Sequence, residues 1–155
     1  ASSEAKKLLK KKLKRKKIKK KVTIKKLNEN DKSLPFKSNF FDTIICTSVL
    51  SLLENKKNIE ALINEFQRIL KKGGKLVVDI NGPQSSFKKK GKFISEDTYI
   101  SYIKNKRQKV LTYCPKKQKV FAKLFKNFYI DELGEIKFRY FSFSGHEFIA
   151  CLRKK

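Results

Sequence analysis

The chain has 155 residues, 39% of them hydrophobic, and 40 basic residues against 14 acidic ones give a net charge of +26. That length suits one domain with a real core. No apolar run approaches the roughly 20 residues that a bilayer span needs, and the lysine-rich N-terminal segment does not read as a secretory leader.

The charge admits two readings. A field of this strength attracts nucleic acid or an anionic surface. Yet the only arginines are Arg15, Arg68, Arg107, Arg139 and Arg153, and the remaining basic residues are lysines. Bidentate recognition of phosphate or bases favours arginine, so a compositional origin stands beside the functional one. Cys46, Cys114 and Cys151 are far apart and form no C-x-x-C pair. That argues against a zinc site or a disulfide framework and for a reducing, cytoplasmic setting.

The pattern predicts a lysine-rich helix over residues 1–21, with Ala5, Leu9 and Leu13 on one narrow stripe. The stripe suits either packing on a sheet or a basic, amphipathic surface helix. Residues 22–27 alternate as a strand does. Residues 43–46 form a short apolar run without alternation, as expected of a parallel strand buried on both faces. Over residues 58–72, Ile59, Leu62, Ile63, Phe66, Ile69 and Leu70 line one face of a helix. Asn58 is its expected N-cap and Gly73 its left-handed C′ residue. Residues 76–80 then read as a second buried strand, which completes a β–α–β core over residues 22–80.

Asn81-Gly82-Pro83-Gln84 breaks the chain at the carboxyl end of that strand, where open α/β sheets bind ligands. Asn81 and Gly82 are therefore candidate substrate contacts. Residues 81–113 read as a lid-like insertion, with a lysine-rich loop over 87–91 and a hairpin pairing 98–103 with 109–113. Tyr99, Tyr102 and Tyr113 either stack on a base or sugar or simply pack within the strands. Residues 114–155 predict a helix behind Pro115, with Val120, Phe121, Leu124 and Phe125 on one face. Strands over 135–143 and 147–153 follow, turning at Ser144-Gly145. His146, the lone histidine, is either structural or a near-neutral base facing substrate.

One ordered series carries a resemblance. Leu34-Pro35-Phe36, then Phe41-Asp42, then Glu65, Arg68, Leu70, Lys71, Gly73 and Gly74 in the pattern E-x-x-R-x-L-K-x-G-G, resemble the second half of a class I S-adenosylmethionine-dependent methyltransferase. The resemblance implies an α/β fold with a Rossmann-like methyltransferase sheet and a C-terminal antiparallel hairpin, in one domain over residues 1–155. It implies S-adenosyl-L-methionine as cofactor and a small-molecule or RNA methyl acceptor; the alternative is a cofactor-less, basic module that binds RNA. Asn30 stands where the family places an acidic contact to the adenine amino group, with Asp31 one step later. Cys46, Thr47 and Ser48 would face the cofactor's methionine end. The Asn/Asp-Pro-Pro-aromatic tetrapeptide of many base-amine methylating enzymes is not found. Nor is any G-x-G, although a cofactor loop needs glycine for close backbone approach. The chain is thus expected to begin after the family's second strand, as the C-terminal part of a longer protein.

Overall fold

The structure, a computed structural model, describes residues 3–17, 21–25, 27, 33–103, 108–141 and 143–155. The chain forms two compact units, Ala1–Pro35 and Phe36–Lys155.

In the first unit, helix α1 (Ser3–Arg15) forms within the expected lysine-rich segment but ends well before residue 21, with Lys17 at a positive φ of 54°; Glu4 lies in its first turn and Lys12, Lys14 and Arg15 in its last. That arrangement suits the helix dipole. Of the strand expected over residues 22–27, the described residues 22–25 and 27 join no ladder. Alternation supplies a face but no partner, and a strand exists only where another pairs with it.

The second unit is built on a four-stranded sheet in the order β1-β2-β7-β6. Strand β1 (Phe41–Cys46) pairs parallel with β2 (Leu70–Asn81). Helix α2 (Lys56–Ile69) joins them. Its N-cap is Asn55, whose side chain accepts the Asn58 N–H at 2.9 Å, so Asn58 lies inside the helix. The helix also ends earlier than its periodicity suggests. Leu70 already belongs to β2, and residues 71–74 bulge out of the ladder between the Phe41↔Leu70 and Thr43↔Lys75 pairs. Gly73 does adopt a left-handed φ of 72°, but within this bulge rather than at a helix end.

Strands β6 (Phe128–Tyr140) and β7 (Phe143–Lys154) form the C-terminal antiparallel hairpin, and β7 inserts antiparallel between β2 and β6. The turn falls between Tyr140 and Phe143, not at Ser144-Gly145. Gly145 lies inside β7 because the Phe138 ring covers it from the neighbouring strand, and an added Cβ would overlap that ring. A residue that reads as turn punctuation is here a close-packing site.

One face of this sheet is the core. Leu76, Val78 and Ile80 of β2 and Phe148, Ala150 and Leu152 of β7 are all buried. Ile59, Ile63, Phe66 and Ile69 of α2 are buried with them, as the helical periodicity predicts. The short helix expected behind Pro115 forms, beginning at Gln118. It comprises α4 (Gln118–Ala122) and a 3-10 turn (Lys123–Phe125), with the Phe121 ring stacked 6.2 Å from Phe148. The opposite face is only partly covered, and among the described residues β1 has β2 as its one neighbour. Ile45 is 72% exposed, which overturns the expectation that residues 43–46 are buried on both faces. Ile45 is paired with Val77, on the face opposite the core, whereas Ile44 and Cys46 share the core face with Leu76 and Val78.

The insertion forms a separate antiparallel sheet, β3 (Lys92–Ser95), β4 (Thr98–Ile103) and β5 (Gln108–Tyr113). The β4–β5 pairing is as expected, whereas the short helix α3 (Ser86–Lys89) takes up most of the loop predicted over 87–91, and β3 follows it. The β3–β4 turn has Glu96 and Asp97 both at positive φ, 40° and 63°, as a two-residue hairpin turn requires. No helix among the described residues is long and apolar enough to cross a membrane.

Candidate functional site

The carboxyl ends of β1 and β2 lie side by side, and the segment after β1 folds back over the end of β2. Two hydrogen bonds hold it there. The Ser48 N–H donates to Asp79 Oδ1 at 2.6 Å, and the Asn81 N–H donates to Ser51 Oγ at 2.7 Å. Ser48 has a left-handed φ of 57°, which turns its amide toward Asp79. A 3-10 turn over Leu50–Leu52 follows, with Leu50 fully buried as its anchor.

This fold-back creates a cavity of about 160 Å³. Ser48, Ser51 and Leu52 line it from one side, Asp79 and Asn81 from β2, and Gly145 and Glu147 from β7. Phe87, Phe138 and Phe143 supply aromatic walls, the Phe143 ring lying 6.5 Å from Phe87 and 6.2 Å from Phe138. Strand alternation puts the carboxylates together. Asn81 is paired with Glu147, and Asp79 lies two residues away on the same face, the diagonal neighbour across the ladder.

Burial sets the electrostatics. Asp79 is 7% exposed, and the cost of desolvating its charge holds the carboxyl above its usual range; the Ser48 N–H pulls the other way. Glu147 is raised too, by burial first and then by the charge of Asp79. Burial, with Asp79 beside it, pushes the Cys46 thiol up to about 11, so this cysteine is a small core residue and not a ready nucleophile.

Of the residues singled out in the sequence, Ser48 and Asn81 line the cavity, and Cys46 and Thr47 lead into it, Cys46 buried and Thr47 exposed. Asn30 and Asp31 lie outside the described residues. Gly82 serves the site from behind. Its N–H donates to the His146 carbonyl at 2.7 Å, and its bare Cα leaves room for the imidazole. His146 projects from the face of β7 opposite Glu147 and packs edge-on against Phe148, 4.9 Å between centroids. Its Nδ1 accepts the Gln84 N–H at 3.0 Å, which leaves the Nε2 proton for Glu135 Oε2 at 3.3 Å. Burial pulls its pKa below the ordinary value against the opposing pull of Glu135. It thus positions the Gly82–Gln84 turn and is not among the residues that line the cavity.

Tyr99 and Tyr102 belong to the three-stranded sheet and do not line the cavity either. Tyr99 is buried against Phe93, and Tyr102 is 59% exposed. The sequence reading missed Asp79, Glu147, Ser51 and the three phenylalanines. For Asp79 a signal existed: it is a lone carboxylate inside the apolar run Leu76-Val77-Val78-Asp79-Ile80. No group of three or more His, Cys, Asp or Glu among the described residues is arranged to hold a metal.

A family model described as a methyltransferase domain matches residues 1–78. Two uncharacterized proteins of Methanocaldococcus jannaschii are similar. One is 34% identical over 85 residues, covering 50% of this chain and 40% of that protein; the other is 42% identical over 64 residues, covering 41% and 27%. The chain thus spans less than half the length of these curated relatives. Among solved structures, a SAM-dependent methyltransferase from Methanosarcina mazei superimposes with a TM-score of 0.67 at 20% identity, over 81% of this chain and 65% of that one. A S-adenosylmethionine-dependent methyltransferase from Clostridium acetobutylicum gives 0.66 at 12% identity, over 99% and 72%. An N-methyltransferase from Bradyrhizobium japonicum in complex with S-adenosylhomocysteine gives 0.53 at 15% identity, over 92% and 59%.

Proposed function

Since the chain belongs to the class I S-adenosylmethionine-dependent methyltransferases, we propose that its cavity is the acceptor side of a methyl-transfer site taking a small molecule. The observation that carries this reading is the position of the cavity. It lies at the carboxyl ends of a parallel strand pair, roofed by the segment that leaves the first of them. A volume of about 160 Å³ admits a small molecule or one protruding group, not the surface of a folded nucleic acid.

S-adenosylmethionine, when bound, supplies an electrophilic methyl group on a sulfonium. Cys46, Thr47 and Ser48 are the described residues that would face it, and Thr47 is exposed there. The fit is one-sided. The first glycine of the chain is Gly73, so the residues before β1 hold no glycine cradle for the rest of the cofactor. What this chain contributes is alignment. Asp79 fixes the Ser48 amide, Ser51 fixes the Asn81 amide, and the phenylalanine walls exclude water from the acceptor.

The test is a titration of the chain with S-adenosylhomocysteine, followed by amide chemical shifts. Weak, saturable binding on the order of millimolar is expected, with shifts concentrated at residues 46–48 and 79–82. No saturable shift there, at concentrations several times above that range, would sink the reading for this chain.

A further inference from the structure

Four carboxylates among the described residues are withdrawn from solvent: Glu65, Asp79, Asp97 and Glu147. Two of them have cationic partners. Glu65 receives both nitrogens of the Arg68 fork at 2.8 Å, and Asp97 lies 3.7 Å from Lys116 Nζ. Asp79 and Glu147 have none among the described residues. The hydrogen bond to Asp79 is the Ser48 N–H on Oδ1, which leaves Oδ2 without a partner, and the Glu147 side chain enters no hydrogen bond or ion pair there. These two share one cavity and one face of the sheet.

That pairing runs against the composition. In a chain of net charge +26, a lysine for every withdrawn carboxylate is easy to supply. Two adjacent negative charges, one buried and one half-buried, left uncompensated repel each other and lose hydration. A ligand that brings a positive charge removes both costs. The rest of the lining suits the same ligand: Phe87, Phe138 and Phe143 surround the space, and aromatic faces attract a desolvated cation. A neutral hydroxyl acceptor could donate one hydrogen bond but would leave the charge uncompensated.

We propose that the cavity recognises a small cationic group, an ammonium, of the acceptor molecule. Asp79 Oδ2 and Glu147 are its counter-charges, and Phe87, Phe138 and Phe143 form its walls. This rests on reading the cavity as the acceptor site and adds the chemical class of the acceptor.

The experiment titrates the chain with choline and, separately, with 3,3-dimethylbutan-1-ol, a neutral molecule of the same shape, reading amide shifts of residues 48–52, 79–82 and 145–147. Choline is expected to bind at least about tenfold more tightly, the scale of a desolvated cation–π contact with a paired charge. The Asp79→Asn/Glu147→Gln double variant should abolish that preference. The introduced asparagine keeps an oxygen to accept the Ser48 N–H, so the roof of the cavity remains, and circular dichroism checks the fold. The positive field of the chain opposes adventitious cation binding. Equal affinity for the two probes, binding of neither, or a preference that survives in the double variant each overturns the proposal. The S-adenosylhomocysteine titration reads a different ligand at residues 46–48. Choline discrimination without that response keeps the cation site and removes methyl transfer; the converse removes the cation site alone.

Discussion

The imidazole of His146 fills the space that a side chain on Gly82 would need: a Cβ built there would come 2.7 Å from ring atoms Cε1 and Nδ1. The contact joins β7 to the turn that closes the cavity, because Nδ1 also accepts the Gln84 N–H and the His146 carbonyl accepts the Gly82 N–H. Gly82→Ala should therefore cost about 1–3 kcal/mol, as overpacking of a close contact does. Urea unfolding followed by circular dichroism measures it. A change within experimental error would mean that the ring moves aside freely.

The same imidazole makes stability depend on pH. Its folded pKa is held below the ordinary value of about 6.5 by burial. As pH falls below about 6.5, the unfolded histidine takes up a proton that the folded one refuses. Stability therefore drops on acidification through this window, by at most about 1.4 kcal/mol per pH unit, until the folded ring protonates too. His146→Gln should flatten the slope between about pH 6.5 and the carboxylate range. Glu135, whose carboxyl is held low by Lys137 first and then by His146, contributes only at lower pH. An unchanged slope in the variant would assign the effect to another group.

The three free cysteines should differ in reactivity. Burial pushes the thiols of Cys46 and Cys114 up to about 11, so almost none of either is thiolate at a mildly alkaline pH. Cys151 is only half-buried. Iodoacetamide labelling of the native chain, read by mass spectrometry, should mark Cys151 first and reach the other two only on unfolding. Fast native labelling of Cys46 would contradict its assignment as a core residue.

Two glycines of the terminal hairpin should respond in opposite directions. Gly134 has nothing within 4 Å of the place a Cβ would occupy, so Gly134→Ala should stabilise by roughly 0.5–1 kcal/mol through lost unfolded-state freedom. Gly145 lies under the Phe138 ring, and Gly145→Ala must push that ring off its place in the cavity wall. It should destabilise by about 1–3 kcal/mol and weaken choline binding as well. Equal effects of the two substitutions would show that the Phe138 contact carries no weight.

The Ser48–Asp79 hydrogen bond separates charge from geometry. Asp79→Ala removes the acceptor of the part-buried Ser48 N–H hydrogen bond and should cost about 0.5–1.5 kcal/mol. Asp79→Asn retains an acceptor oxygen and should cost clearly less in the same melts. If both variants were equally unstable, the carboxylate charge rather than the hydrogen bond would hold the roof.

How much of this was legible in the sequence depended on whether a feature is local. The face of α2 is written in its periodicity, and Ile59, Ile63, Phe66 and Ile69 are all buried as their spacing requires. The break after β2 was visible in Asn81-Gly82-Pro83, and it does lie beside the cavity. The turn at Glu96-Asp97 was hidden because neither residue is glycine or asparagine, the usual markers of positive φ. The hairpin turn near Tyr140 was misplaced because Ser144-Gly145 looks like a turn, although Gly145 is there for the ring above it.

Short-range spacing of apolar residues was thus enough for α2 and the parallel strand pair, while the ordered motifs Leu34-Pro35-Phe36, Phe41-Asp42 and Glu65 to Gly74 carried the resemblance to the methyltransferases. Which carboxylates line the cavity was decided by tertiary structure alone. Asp79 and Glu147 are distant in sequence and become neighbours because β7 inserts beside β2 in one register, with Asn81 opposite Glu147. A slip of one residue would turn Glu147 to the other face and bring His146 into the cavity instead. That choice is made by the packing of Phe148, Ala150 and Leu152 against the core, where many buried contacts act at once and no single residue announces the result.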